Sequence, residues 1–201
     1  MSYDLTKFKH GLEELNITLT DEQIEQFLRY YEMLVEKNKV MNLTGITEYD
    51  EVIQKHFLDS LSLIRVIPDI ASQELTIIDL GTGAGFPGLP LKIAFPELEI
   101  TLMDSLNKRI LFLQEVINAL DLKKVSAVHG RAEEMASNAA HRQQYDLCVS
   151  RAVSNLAVLT EYCLPFVKKV DYLFPTNLQI PIQKFRKGKK QFPFLVENLL
   201  P

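Results

Sequence analysis

The chain has no tryptophan, and its 201 residues include just two cysteines and eight glycines. Cys148 and Cys163 stand in apolar surroundings without CxxC or zinc-ligand spacing. This excludes a disulfide framework and predicts two buried, reduced thiols. No apolar run approaches the roughly 20 residues of a bilayer-crossing helix, so no membrane-spanning helix is expected. The first ten residues mix Asp4, Lys7 and Lys9 with few apolar side chains, unlike a secretory leader. A cationic excess is missing as well, since the net charge is −4. Residues 1–60 carry 6 Lys/Arg against 12 Asp/Glu, residues 61–170 carry 11 against 12, and residues 171–201 carry 5 against 2. Any nucleic acid must therefore be met by a local patch, because the overall field repels it slightly. On charge alone, the cluster Lys184, Arg186, Lys187, Lys189 and Lys190 reads as a solvated tail.

What is present divides the chain into three segments, 1–70, 71–174 and 175–201. The first reads as a helical extension. Thr20 followed by Gln23 is a capping-box pattern. Ile24, Phe27, Leu28, Tyr31, Leu34 and Val35 then form one apolar stripe, which fades near Asn38 into a loop at Asn42-Leu43-Thr44-Gly45. A second helix is predicted from Glu51 to Arg65, with Val52, Ile53, Phe57, Leu61 and Ile64 inward and Pro68 beyond its end. From Leu75 the pattern alternates. Strands are predicted at 76–80, 99–104, 125–129 and 145–150, and helices at 87–95, 108–120 and 155–167. Strands spaced by helices imply right-handed crossovers and an α/β fold, a doubly wound and mostly parallel sheet.

Ligands of such sheets bind at the carboxyl ends of the strands, where strand order reverses. The first strand runs into Asp79-Leu80-Gly81-Thr82-Gly83-Ala84-Gly85-Phe86-Pro87-Gly88, which holds four of the eight glycines. Gly81, Gly83 and Gly85 allow a tight turn and close backbone approach to a ligand. The following helix is expected to offer free N–H groups to a carboxylate or phosphate, and Phe86 to cover an apolar part of the ligand. Asp104 ends the second strand, 21 positions after Gly83, where an acid can accept from ribose hydroxyls. The third strand leads to Arg131-Ala132-Glu133-Glu134, where an adenine could lie against Ala132. The fourth ends in Ser150-Arg151-Ala152, facing the reacting end. The glycines also fit the GxGxxG of nicotinamide-binding folds, which leaves an oxidoreductase as an alternative. The Asp79-x-Gly81-x-Gly83-x-Gly85 spacing favours a methyltransferase variant. Arg151 also reads as a structural partner of an acid, and Glu133 and Glu134 as a solvated helical turn. His56 and His129 read as packing residues, and no metal site is expected.

Taken together, Asn42-Leu43-Thr44, His56-Phe57-Leu58-Asp59-Ser60-Leu61, Asp79 to Pro90, Asp104-Ser105-Leu106-Asn107-Lys108-Arg109 and Ser150-Arg151-Ala152 resemble the small-subunit rRNA guanine-N7 methyltransferase family, also called glucose-inhibited division protein B. The resemblance covers residues 1 to about 167 in order. It implies a class I, Rossmann-like methyltransferase fold and a cytoplasmic bacterial enzyme. It also implies S-adenosylmethionine as cofactor and 16S rRNA or the small ribosomal subunit, rather than DNA, as partner. The cofactor positions it implies are Gly81, Phe86, Asp104 and Ser105, Ala132, Glu133 and Arg151; the reading of the residues adds Asp79, Gly83 and Gly85, and lets Arg151 position substrate as well. No residue is assigned as acid or base, because guanine N7 has a free lone pair and no proton to lose. A pocket-bearing protein that binds S-adenosylmethionine without activity is a further alternative.

The tail departs from the family. At most Tyr172 to Phe174 begin a fifth strand, and Pro175, Pro181 and Pro193 interrupt the remainder. Residues 175–201 show no period of 2 or 3.6. They are read either as a lineage-specific ending or, in preference, as a truncated or frame-shifted one that leaves the C-terminal strands incomplete, with poor methyl transfer expected.

Overall fold

A computed structural model describes residues 3–151, 156–168 and 194–196. Short apolar runs bounded by turns make its sheet: β1 (Thr76–Leu80), β2 (Glu99–Asp104), β3 (Val125–His129), β4 (Leu147–Ser150) and β5 (Phe194–Val196). Their order is β3-β2-β1-β4-β5, and every pairing is parallel. Ile77 of β1 lies opposite Ile100 on one side and Leu147 on the other. Strand order thus reverses at β1, and a crevice is expected between the carboxyl ends of β1 and β4.

Strands β1 to β3 match the expected bounds. The fourth starts two residues late, because Tyr145 makes a separate parallel bridge to Val167. That bridge also shortens the last described helix, α8 (Leu156–Cys163), which was expected to reach Val167. Pro165 comes two residues beyond its end, where the carbonyls of Pro165 and Phe166 accept from Gln143 and Tyr145. The other helices are α5 (Gly88–Ala94), α6 (Asn107–Ala119) and α7 (Ala132–Met135).

Alternation along the strands divides the core. Ile77, Ile100, Leu102, Leu147 and Val149 join a large buried cluster with the N-terminal helices, α5 and α6. Ile78, Leu80, Met103 and Cys148 face the other way, onto Leu159, Cys163, Phe166 and Val167. Both cysteines are buried free thiols.

The N-terminal layer comprises α1 (Thr6–Glu14), α2 (Asp21–Met41) and a broken helical segment over residues 49–65. The capping box is present: Gln23 N donates to Thr20 Oγ1 at 3.2 Å, and Thr20 N donates to Gln23 Oε1 at 2.8 Å. Helix α2 runs three residues past the expected Asn38 and stops at Asn42, whose φ of 55° is left-handed. Asn38 instead closes the turn, its Oδ1 accepting from Leu43 N at 2.6 Å and Thr44 N at 2.9 Å. The helix expected at 51–65 is not uniform. It passes from α3 (Tyr49–Val52) through a π-helical turn (Ile53–Leu58) and α4 (Asp59–Leu61) into a 3₁₀ turn (Ser62–Arg65). The wider π turn brings Ile53, His56 and Phe57 to the inside together. Ile64, expected inward, is half-buried.

Phe8, Phe27, Phe57 and Tyr30 knit this layer to the sheet. Ring centroids lie 5.1 Å apart for Phe8–Phe27, 5.0 Å for Phe27–Phe57 and 5.5 Å for Tyr30–Phe86. Each such pair contributes about 0.5–1.5 kcal/mol beyond burial. Gln23 Nε2 also donates to the carbonyls of Ile93 and Ala94 at the end of α5, and Gln26 Nε2 to Leu120 just after α6.

In the tail, residues 194–196 form β5, which the sequence reading did not assign. It pairs in parallel with β4, Cys148 opposite Phe194 and Ser150 opposite Val196. Tyr172 to Phe174, the basic cluster and the remaining tail residues lie outside the described residues.

Candidate active site

The crevice has two walls. The first is built at the end of β1. Gly81, Gly83 and Gly85 have φ values of 68°, 62° and 110°, which side chains rarely adopt. A Cβ at Gly83 would meet only the Gly81 carbonyl, at 3.9 Å, so backbone conformation and not crowding demands glycine there. At Gly85 both apply, because a Cβ would lie 2.5 Å from Leu89 Cδ1 and 2.9 Å from Tyr30 Oη. Gly88 is held by contact alone, with a Cβ 2.3 Å from Leu102 Cδ2 and 2.9 Å from Asp79 Oδ2.

Two buried acids hold this loop. Asp79 Oδ2 accepts from Thr82 Oγ1 at 2.6 Å and from Gly88 N at 2.9 Å. The first amide of α5 is therefore engaged within the protein, contrary to the expectation that it stands free for a ligand. Asp79 Oδ1 is buried and has no hydrogen-bond partner among the described residues. Burial pushes the Asp79 carboxyl up to about 6, against the lowering effect of Thr82, Gly88 and Arg151. Asp104 is the opposite case. Its Oδ2 accepts from Gly83 N at 2.9 Å and Arg109 Nη1 at 3.1 Å, and its Oδ1 accepts from Leu106 N at 2.9 Å. Asp104 thus faces the glycine loop, with Arg109 half-exposed beside it.

Ser105 is exposed, and its carbonyl accepts from His129 Nε2 at 3.1 Å. His129 was expected to pack inside but is exposed, because it ends an edge strand of the described sheet. Ala132 is half-buried against the smaller core cluster. Glu133 is exposed and faces the Tyr162 phenol, whose pKa it raises.

The second wall forms at the end of β4, where Ser150 Oγ donates to the Leu80 carbonyl at 2.7 Å and ties the two strand ends together. Arg151 comes next. Its Nη1 donates to Asp59 Oδ2 and to the Lys55 carbonyl, both at 3.2 Å, and its Nη2 contacts His56 Nδ1 at 2.9 Å. The guanidinium carbon lies 4.9 Å from the Phe86 ring centroid, within cation–π range. Phe86 is 5% exposed and stacks on His56 with centroids 4.4 Å apart. Its ring therefore packs against protein and forms a base under Arg151. His56 Nε2 reaches Thr44 Oγ1 at 2.9 Å.

The acid partner considered for Arg151 exists, and it is Asp59. The sequence reading took His56 as packing only and gave no site role to Thr44 or Asp59. The one available signal was that Asn42-Leu43-Thr44, His56 to Asp59 and Ser150-Arg151 all belong to the same resemblance. The structure brings these three separate stretches to one place.

A Staphylococcus aureus crystal structure described as a caffeoyl-CoA O-methyltransferase shares the fold, with a TM-score of 0.50 at 17% identity over 82% of this chain and 69% of that one. The shared class is thus a doubly wound α/β fold. The family model "GidB: rRNA small subunit methyltransferase G" matches residues 23–196, and the chain belongs to that family. A Lachnoclostridium phytofermentans protein named ribosomal RNA small subunit methyltransferase G is 58% identical over 172 residues, which are 86% of this chain and 70% of that protein. A Ligilactobacillus salivarius protein of the same name is 53% identical over 190 residues, 94% of this chain and 79% of that protein. Membership of a methyltransferase family retires the nicotinamide oxidoreductase. Among the described residues, no helix is long and apolar enough to cross a membrane.

Proposed function

We propose that this chain transfers a methyl group from S-adenosylmethionine to N7 of a guanine in 16S rRNA, in the bacterial cytoplasm, acting on the RNA or on the small ribosomal subunit. The observation that carries this reading is the junction of the two walls. A glycine loop flanked by two buried acids meets a fixed cation across the strand-order reversal, tied by Ser150 to Leu80. The residues fit the cofactor. Gly81, Gly83 and Gly85 leave a surface of backbone, and Asp104 at the end of β2 suits ribose hydroxyls. Ser105, Ala132 and Glu133 would border the adenine, with Asp79 and Phe86 shaping the loop from behind. The residue spans 1–70 and 71–174 then correspond to a helical layer and a cofactor-binding unit, whose sheet also takes in residues 194–196 of the atypical span 175–201.

When bound, S-adenosylmethionine supplies an electrophilic methyl group on a sulfonium. The protein's task is alignment, because N7 already carries the attacking lone pair and no base is required. Arg151, 17% exposed in its side chain, stands where a cation can meet a guanine edge or a phosphate.

The decisive experiment is transfer of tritiated methyl to small ribosomal subunits from a strain lacking the modification, with mapping of the labelled base. Label in one guanine at N7 is expected. S-adenosylmethionine binding without incorporation into naked RNA or subunits would instead favour the inactive binding protein.

A further inference from the structure

We propose that His56 is a positioning residue for Arg151. In its neutral form protonated at Nε2, it accepts from Arg151 at Nδ1, donates to Thr44, and so fixes the plane of the guanidinium at the mouth of the site. The inference rests on the proposed function for the meaning of that mouth, but its chemistry is local.

A guanidinium has five N–H donors and no acceptor. The 2.9 Å contact between Arg151 Nη2 and His56 Nδ1 therefore requires a lone pair on Nδ1. The proton of the neutral ring must then sit on Nε2, which points at Thr44 Oγ1, 2.9 Å away. Nδ1 also lies 3.1 Å from the Lys55 carbonyl, but an unprotonated nitrogen has nothing to donate to it. That carbonyl accepts instead from Arg151 Nη1. Thr44 is itself fixed, its N–H on Asn38 Oδ1 and its Oγ1 also accepting from Ile46 N at 3.1 Å. A chain of contacts thus runs from Asn38 through Thr44 and His56 to Arg151 and Asp59.

Asp59 and the Lys55 carbonyl both engage Nη1. The bond from Nη2 to His56 adds a second point and sets the plane. Phenylalanine would fill the same space on Phe86, so packing alone does not explain an imidazole with both nitrogens engaged. The charged groups facing the ring are Arg151, Lys55 and Asp59. Burial, and then the Arg151 charge, push the ring pKa down to about 4, so it is neutral at physiological pH.

The test combines variants with spectroscopy on the full chain. H56F is expected to lower kcat roughly 10-fold, the loss expected for one hydrogen bond to a charged group, with the dissociation constant for S-adenosylmethionine nearly unchanged. H56N, whose carbonyl oxygen falls near the Nδ1 position, should recover most of that loss. A folded H56F with full turnover, or H56N no better than H56F, overturns the proposal. Independently of activity, ¹⁵N shifts of the His56 ring at pH 7 should show Nδ1 unprotonated and Nε2 protonated. An imidazolium, or the opposite tautomer, also overturns it. If the wild-type protein methylates no ribosomal substrate, the proposed function fails while the tautomer result still decides the His56 assignment.

Discussion

The two strand ends that face each other across the crevice are built in opposite ways. The β1 end is held by neighbours: Asp79 grips Thr82 and Gly88, three and nine positions ahead, and Asp104 reaches Gly83 from the adjacent strand. The β4 end is held from afar, with Arg151 fixed by Lys55, Asp59 and His56, which lie 92–96 positions earlier. One wall is a property of a short segment. The other exists only once the helical layer has packed on the sheet. The first should therefore fail through backbone strain and burial, and the second through loss of tertiary contacts.

The largest effect expected from breaking this contrast is at the loop. Gly85→Val combines a φ of 110° with contacts below 3 Å to Leu89 and Tyr30. It should cost about 3 kcal/mol or more in unfolding free energy, read by chemical denaturation. Gly83→Val meets no such contacts and should cost about 1–2 kcal/mol, while still disturbing the cofactor surface. Equal stability losses for the two would show that crowding is not what separates them.

Asp79 sharpens the comparison by pH. Its folded pKa, about 6, lies above the ordinary 3.8, so the folded state holds a proton that the unfolded chain has already released. Stability from this group is present below about pH 4 and is lost as pH rises through about 6. The size is about 3 kcal/mol. Asp79→Asn removes this dependence, so its stability relative to wild type should improve between pH 4 and pH 7. Parallel pH–stability curves for the two proteins would rule out a buried, proton-holding Asp79.

Asp104 is the acid of the pair with both oxygens hydrogen-bonded, and its carboxylate keeps acceptor capacity for a ribose hydroxyl. Asp104→Ala should weaken S-adenosylmethionine binding by about 1.5–3 kcal/mol in calorimetry, and undiminished affinity would remove it from the cofactor site.

This contrast also explains what the sequence reveals. Strands β1 to β3 were legible to the residue because each is a short, apolar-rich run closed by turn residues, buried in β1 and β2 and half-exposed in the edge strand β3. Asp79, the glycines and Asp104 were legible because their spacing is local to one crossover. The partners of Arg151 were not, since no pattern within the chain states that Thr44, His56 and Asp59 converge on residue 151. The π turn at Ile53–Leu58 was hidden for the same reason, since it is set by what the segment packs against. In the tail, Phe194-Leu195-Val196 is too short a run to register as a strand without β4 beside it.

The smallest expected effect tests whether the helical layer also serves the loop wall. Tyr30 is fully buried on α2, and its hydroxyl donates to the Ala84 carbonyl at 2.7 Å, in the middle of the glycine loop. It is a long-range support for an otherwise locally built wall. Tyr30→Phe keeps the ring, its stacking on Phe57 and its contact with Phe86, and deletes only the hydroxyl. Ala84 is itself buried, so its carbonyl loses this donor where water is scarce. Removing one partner of a buried hydrogen bond costs about 1 kcal/mol or slightly more. A loss of that size in denaturant unfolding is expected, together with a modest fall in S-adenosylmethionine affinity as the loop loosens. If stability falls but affinity does not, the loop holds its shape through Asp79 and Asp104 alone, and the helical layer serves only the Arg151 wall.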